Sequence, residues 1–306
     1  DRVREVLVGC GLMEAITYSF VSPKRNDWLL LPETHPWRQQ VRLRNPLSEE
    51  HSVMRTNLLG GLLDAAARNA SRRIYDVHLF EIGAVYLPDP LGGDRQPMEP
   101  RRLGLVMCGA LPETMWGHPV READFFSVKG VLEQVAQALR VKLEFRPSAH
   151  PSFHPGRQAE VLLEGRLVGL VGEVHPRVLE AFEAPERTCA AEIDLEPLVE
   201  ASGGIPRYKP LPRYPLVRRD LALLVPVGCA AAQVEQVIRE VSGQLLDTIG
   251  LFDVYEGKQV PQGFRSVAYT LGFRSDERTL TDEEVTQLIA RIEEALEARL
   301  QVHVRR

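Results

Sequence analysis

The spacing that clips metals or runs redox chemistry is missing from this sequence. Its four cysteines, Cys10, Cys108, Cys189 and Cys229, lie far apart and form no C-x-x-C pair. Zinc ribbons and thioredoxin-like motifs therefore have no support, and buried free thiols in a reducing cytoplasm are expected. No apolar run reaches membrane-spanning length, and no basic region followed by an apolar one opens the chain, so no membrane partner and a cytoplasmic location are expected. A large charge of one sign is missing too. A net charge of -5 over 306 residues argues against nucleic-acid binding by bulk electrostatics. The deficit is uneven. From Arg207 onward 14 basic residues balance 14 acidic ones, while the preceding residues hold 23 against 28. Any RNA contact by the neutral part would have to be local and shape-driven.

Signatures of catalysis are equally scarce. No P-loop, nucleophile elbow or Ser/His/Asp order appears. Gly165, Gly169 and Gly172 fall on or between expected strands and open no helix, so they are no phosphate loop. His150 and His154 have a helical ligand spacing, but Pro151 and Pro155 forbid the helix, and with His175 they read as turn histidines. Glu81 and Glu173 sit at strand ends without a partner identifiable by spacing, which favours structural roles. The chain opens at Asp1, not Met, inside a helix-like pattern, as a piece of a longer protein would.

Periodicity predicts a helix through Val3, Val6, Leu7 and Cys10 that stops at Gly11, then a β-rich stretch from Glu14 to Val21. A short strand is expected over Val41 to Arg44. A helix follows through Leu58, Leu59, Leu62, Leu63 and Ala66, capped by Thr56 or Asn57. Strands are expected over Val77 to Leu87 and Arg102 to Gly109. Asp124 is placed to cap a helix carrying Val128, Leu132, Val135 and Leu139. Ala159 to Glu164 and Leu167 to Val174 form a hairpin about Gly165-Arg166. Pro176 starts a short helix, and Ala190 to Leu195 is a strand. Helices among hairpin-linked strands indicate an α+β fold. The stretch from Glu196 to Pro215, rich in Pro and Gly, reads as a linker. The expected division is residues 1–198, a linker over 199–215, and a second domain over 216–306.

The second domain repeats a simple rule. Arg219 to Val225 is a strand with Leu221, Leu223 and Val225 on one face, and Val234, Val237, Ile238 and Val241 form a helical stripe. Leu251 to Gly257 is a strand, and Ser266 to Arg274 is another, with Val267, Tyr269, Leu271 and Phe273 on one face. Thr281 to Glu284 is a capping box before a helix, and Val302 to Arg306 closes the order. That β-α-β-β-α-β order is the ferredoxin-like plan, with two helices on one sheet face and the other face open. Alternation sends Phe252 and Val254 to the buried face. It places Asp253 and Tyr255 on the open face with Ala268, Thr270, Gly272 and Arg274. A tyrosine ring can stack on a base, and a carboxylate can accept from guanine's amino and imino groups.

These residues resemble a family. Glu14-Ala-Ile-Thr-Tyr-Ser-Phe20, Asn45-Pro-Leu-Ser-Glu49, Met54-Arg-Thr-Asn-Leu58 and Leu79-Phe-Glu-Ile-Gly83 begin the series. Asp124 to Gly130, His154 to Ala159, Gly172 to Pro176, Arg219 to Leu223, Leu251 to Gly257 and Arg278 to Glu284 continue it in order. Together they are similar to the C-terminal part of the β subunit of bacterial phenylalanine–tRNA ligase. The resemblance implies a class II synthetase-like antiparallel sheet domain that is catalytically inactive, then a ferredoxin-fold anticodon-binding domain. It implies an α subunit as partner in an (αβ)2 heterotetramer. That subunit forms phenylalanyl-tRNA from ATP, phenylalanine and tRNA(Phe), with ATP and Mg2+ used by the whole enzyme and no cofactor in this part. The Leu79 to Gly83 strand and its partner lack the Arg-x-Glu of an ATP-binding hairpin, and Gly165 to His175 lacks the third class II motif. The helix over Leu58 to Ala66 would serve as interface, or equally as internal core. Asp253 and Tyr255 are the expected anticodon contacts, for base hydrogen bonding and stacking. Arg274, and Arg219 near the sheet edge, are candidates for phosphate contact. The family's N-terminal tRNA-contacting and editing domains would precede Asp1. An adenylating ligase with its own substrate, and a protein-binding module, are the alternative readings.

Overall fold

The computed structural model describes residues 1–306 apart from 93–94, 112–115, 118, 204–207, 209, 258 and 306. Gly204 and Pro206 of the expected linker, and Arg306 of the expected last strand, lie outside the described residues. The chain divides into two compact units, Asp1–Pro206 and Arg207–Arg306. Among the described residues no helix is long and apolar enough to cross a membrane.

The first unit begins with α1 (Arg2–Gly9), β1 (Met13–Glu14), β2 (Phe20–Val21) and α2 (Arg25–Trp28). Next come β3 (Val53–Met54), α3 (Leu59–Ala70), β4 (Val77–Ala84), β5 (Arg101–Cys108) and α4 (Phe125–Leu139). It ends with β6 (Leu143–Pro147), β7 (Phe153–Leu163), β8 (Arg166–Val174), α5 (Pro176–Phe182), β9 (Cys189–Asp194) and α6 (Leu195–Glu200). Seven strands form one sheet in the order β1-β4-β5-β9-β8-β7-β6. Only β1 and β4 run parallel, so the sheet is mixed but mostly antiparallel. Asp124 caps α4 as expected, in a reciprocal pair with Ser127. Glu164 and Gly165, both at positive φ, turn the β7–β8 hairpin.

Helices cover both faces of this sheet. On one, α1, α4 and α6 bury Leu7, Leu132, Val135 and Leu198 against Leu103, Leu105 and Ile193. On the other, α3 and α5 bury Leu58, Leu62, Leu63 and Phe182 against Val106 and Ala190. The leucines of α3 are core, so the helix read as a possible interface has its apolar face spent inside the unit. The stretch Glu14 to Val21 is not one strand. Its ends pair with different partners, β1 with β4 and β2 with β3, and the residues between pair in neither sheet. Val41 to Arg44 makes only an isolated bridge from Arg42 to Val53.

The second unit is β10 (Val217–Pro226), α7 (Ala231–Ser242), β11 (Leu246–Tyr255), β12 (Phe264–Phe273), α8 (Asp282–Leu300) and β13 (His303–Val304). Its sheet order, β11-β12-β10-β13, is that of the ferredoxin-like plan. Val234, Ile238, Leu288, Ile292 and Leu296 of the helices pack on Leu223, Tyr269, Leu271 and Phe273. The capping box before α8 is present, with Thr281 Oγ1 accepting from Glu284 N–H and Glu284 Oε2 accepting from Thr281 N–H.

Candidate nucleic-acid interface

Register across the second sheet shows what its helix-free face presents. Tyr255 pairs with Ser266, and Ser266 with Leu224; Asp253 pairs with Ala268, and Ala268 with Ala222; Gly250 pairs with Thr270, and Thr270 with Asp220. Directly paired residues share a face, so Asp253, Tyr255, Ala268 and Thr270 do lie together. Ala222, Ala268 and Gly250 make a low floor. Asp253 is exposed, and among the described residues its carboxylate has no partner. Thr270 donates to Asp220 Oδ1 at 2.6 Å. The far end of this face is not open: a Cβ at Gly272 would lie 2.3 Å from Thr248 Oγ1 and 3.1 Å from Leu216.

The opposite face of β11 departs from expectation. Phe252 is 59% exposed and Val254 50% exposed, so the apolar pair is not buried. Two causes combine. β11 is the edge strand, and the register slips between Leu251 and Asp253, which makes Phe252 the bulged residue. The same bulge reverses the alternation after Leu251, and so puts Asp253 and Tyr255 on the helix-free face.

The two arginines are differently placed. Arg274 follows the last residue of β12 and is paired with Asp247 at 2.6 Å. Arg219 belongs to the part of β10 that β13 does not reach, but its register with Leu271 puts it on the helix-covered side. There it binds Asp282, at the start of α8, at 2.6 Å. A residue that periodicity did not single out, Arg305, reaches the face from beyond β13. Its Nη1 donates to Ser266 Oγ at 3.1 Å, and its guanidinium carbon is 5.7 Å from the centroid of the Tyr255 ring. The only sequence signal for Arg305 would have been its parity with the expected closing strand.

In the first unit, the face carrying Glu81 is filled. Arg55, Glu81 and Thr17 form a buried cluster, with Arg55 Nη1 donating to Glu81 Oε1 at 2.6 Å and Thr17 Oγ1 to Glu81 Oε2 at 2.7 Å. Glu192 accepts from Leu58 and Leu59 N–H at the start of α3, at 3.0 and 3.1 Å, and from Arg102 Nη1 at 2.8 Å. Burial raises the Glu192 carboxyl above its usual range against the opposing pull of Arg102. A Cβ at Gly104 would lie 2.8 Å from Leu62 Cδ1, so α3 leaves no space over β5. Glu173 is paired with Arg157 at 2.9 Å. Of the turn histidines, His150 packs among His35, Trp37 and Phe153. Its pKa is pulled down to about 4 by burial and then by the neighbouring His35.

Comparison with known proteins agrees with this division. Residues 1–195 match the family model described as the phenylalanyl tRNA synthetase beta chain CLM domain, and residues 212–305 match the ferredoxin-fold anticodon binding domain. A phenylalanine–tRNA ligase beta subunit of Moorella thermoacetica is 48% identical over 99% of this chain and 37% of its own length. Those of Symbiobacterium thermophilum and Geobacillus kaustophilus are 45% and 40% identical, over 96% and 97% of this chain and 33% and 36% of theirs. The chain thus spans about a third of the length of the relatives it matches. It belongs to the phenylalanine–tRNA ligase beta-subunit family, of which it carries the C-terminal CLM and anticodon-binding domains.

Proposed function

We propose that this chain supports a catalytic α subunit through its first unit and reads the anticodon of tRNA(Phe) through the helix-free sheet face of its second. The α subunit would form phenylalanyl-tRNA from ATP, phenylalanine and tRNA in an (αβ)2 enzyme of the cytoplasm. The observation that carries this reading is the meeting of Tyr255 and the exposed Asp253 over a floor of Ala222, Ala268 and Gly250. An unstacked base can lie on the tyrosine ring while its edge donates to the carboxylate. Arg274 can add a phosphate contact where its pair with Asp247 opens. Arg219, on the covered side and held by Asp282, contributes through α8 and not through RNA. In the first unit, Arg55 and Arg102 on the sheet face are already paired with Glu81 and Glu192, so neither is held free to stabilise a reacting phosphate.

The test uses the full-length β subunit assembled with α. Tyr255→Ala should weaken tRNA recognition by roughly 1–3 kcal/mol, read as a raised KM for tRNA. Asp253→Ala should act in the same direction. Unchanged charging efficiency in both variants would overturn the assignment and favour a protein partner for the exposed β11 edge. The chain by itself should show no ATP–pyrophosphate exchange; finding such exchange would favour an adenylating activity of its own.

A further inference from the structure

We propose that Arg305 is a positioning residue for the RNA-reading face, holding the Tyr255 ring in its stacking orientation from the far side of the sheet. The inference rests on the anticodon-reading role proposed for that face.

Tyr255 needs something to hold it. It ends an edge strand, is 40% exposed, and has no strand on its outer side. On one flank the ring lies against Gly257, where a Cβ would stand 2.3 Å from the tyrosine Oη, so a side chain there would push the ring aside. The remaining constraint comes from Arg305. Its backbone N–H donates to Ala222 O at 2.9 Å, which fixes the residue beside β10. From there the side chain reaches past β10 to β12 and beyond. Nη1 donates to Ser266 Oγ at 3.1 Å, Nη2 donates to Gln259 Oε1 at 3.4 Å, and the guanidinium carbon stands 5.7 Å from the Tyr255 centroid. Ser266 is the direct cross-strand partner of Tyr255. One planar cation thus ties the last strand, the start of β12 and the loop after β11 to a single ring.

Ala222 and Ala268, on the same face, are short residues beside that span. A guanidinium suits the task because it can donate two hydrogen bonds in its plane while lying against an aromatic ring. A ring held in one orientation before RNA arrives loses less side-chain entropy on stacking than a free one. Arg305 also brings a positive charge beside the carboxylates of Asp220 and Asp253 on this face, at the end opposite to Arg218, which pairs with Gly272.

A structural alternative, in which Arg305 only pins β13 to the sheet, makes different demands. The experiment measures aminoacylation by the full-length β subunit assembled with α, for Arg305→Ala, Arg305→Lys, Tyr255→Ala and Arg305→Ala with Tyr255→Ala. Arg305→Ala should raise KM for tRNA about three- to tenfold, with kcat and the KM for phenylalanine and ATP within about twofold. Arg305→Lys keeps the charge but cannot make both hydrogen bonds while lying on the ring. It should therefore rescue only part of the loss, and it carries the test if the alanine variant fails to fold. In the Tyr255→Ala background, Arg305→Ala should add less than about twofold, because the ring it holds is gone. Multiplicative losses in the double variant would overturn the proposal. So would wild-type KM for tRNA in Arg305→Ala and Arg305→Lys while Tyr255→Ala raises it, and in that case the anticodon reading would survive. If Tyr255→Ala itself left charging unchanged, the anticodon reading would fall and the role of Arg305 with it.

Discussion

The two units handle the faces of their sheets in opposite ways. In the first, helices cover both faces, and the buried arginines on the α3 side of the sheet are matched internally: Arg55 by Glu81, Arg102 by Glu192 and Asp194. In the second, helices cover one face, and the other keeps a carboxylate with no partner among the described residues, beside a tyrosine ring over small residues. A face that a second layer closes has to satisfy its charges at once, because a buried unpaired ion costs several kcal/mol. A face left open can hold them in reserve for a ligand. Charge is present on both sheets. Its availability to a ligand separates them.

That contrast can be broken most forcefully at Arg102. Arg102→Ala would leave Glu192 buried beside α3 without its cation. It should destabilise the first unit by about 3–5 kcal/mol, seen as earlier unfolding of that unit by hydrogen exchange with the second unit unmoved. Adding a methyl to each sheet sharpens the comparison. Gly104→Ala pushes a Cβ into Leu58 and Leu62 and should cost about 1–3 kcal/mol. Gly250→Ala meets nothing within 4 Å and should stay within about 0.5 kcal/mol in a denaturant melt. Acid should also separate the units. His150 holds its pKa near about 4 in the folded first unit, below the ~6.5 of an unfolded histidine. Its contribution is therefore complete above pH ~6.5 and is lost as pH falls towards 4, a loss of about 1–3 kcal/mol. Melts of the first unit at pH 7 and pH 4.5 should show this, and His150→Phe should flatten the dependence. The smallest effect is expected at the bulge. Phe252→Ser should change stability by no more than about 0.5 kcal/mol, because the ring is mostly exposed.

Local signals in the sequence translated well into structure. Asp124 and Thr281 to Glu284 announced their helices because capping is decided within four residues. Alternation along Leu251 to Gly257 foretold the shared face of Asp253 and Tyr255. The same alternation misjudged Phe252 and Val254, since period alone cannot tell an edge strand from a central one or reveal a bulge. β6 went unread because its alternation, Leu143-Glu144-Phe145-Arg146, lasts only four residues before Pro147, too short to stand out without its pairing with β7. Long-range partners were invisible for the same reason. Glu192 caps α3 from 134 residues away, and spacing rules suggested Thr56 or Asn57, of which Asn57 does accept from Gly60 N–H at 3.1 Å. Arg305 meets Tyr255 only through the register of four strands.

The most direct test of the account is the affinity of this chain for an anticodon stem-loop with guanine at the first anticodon position, against the same stem-loop with adenine there. Tighter binding to guanine is expected, with the preference abolished by Asp253→Ala and both affinities lowered by Tyr255→Ala. Equal affinity for the two RNAs, or a guanine preference unchanged by both substitutions, would contradict it.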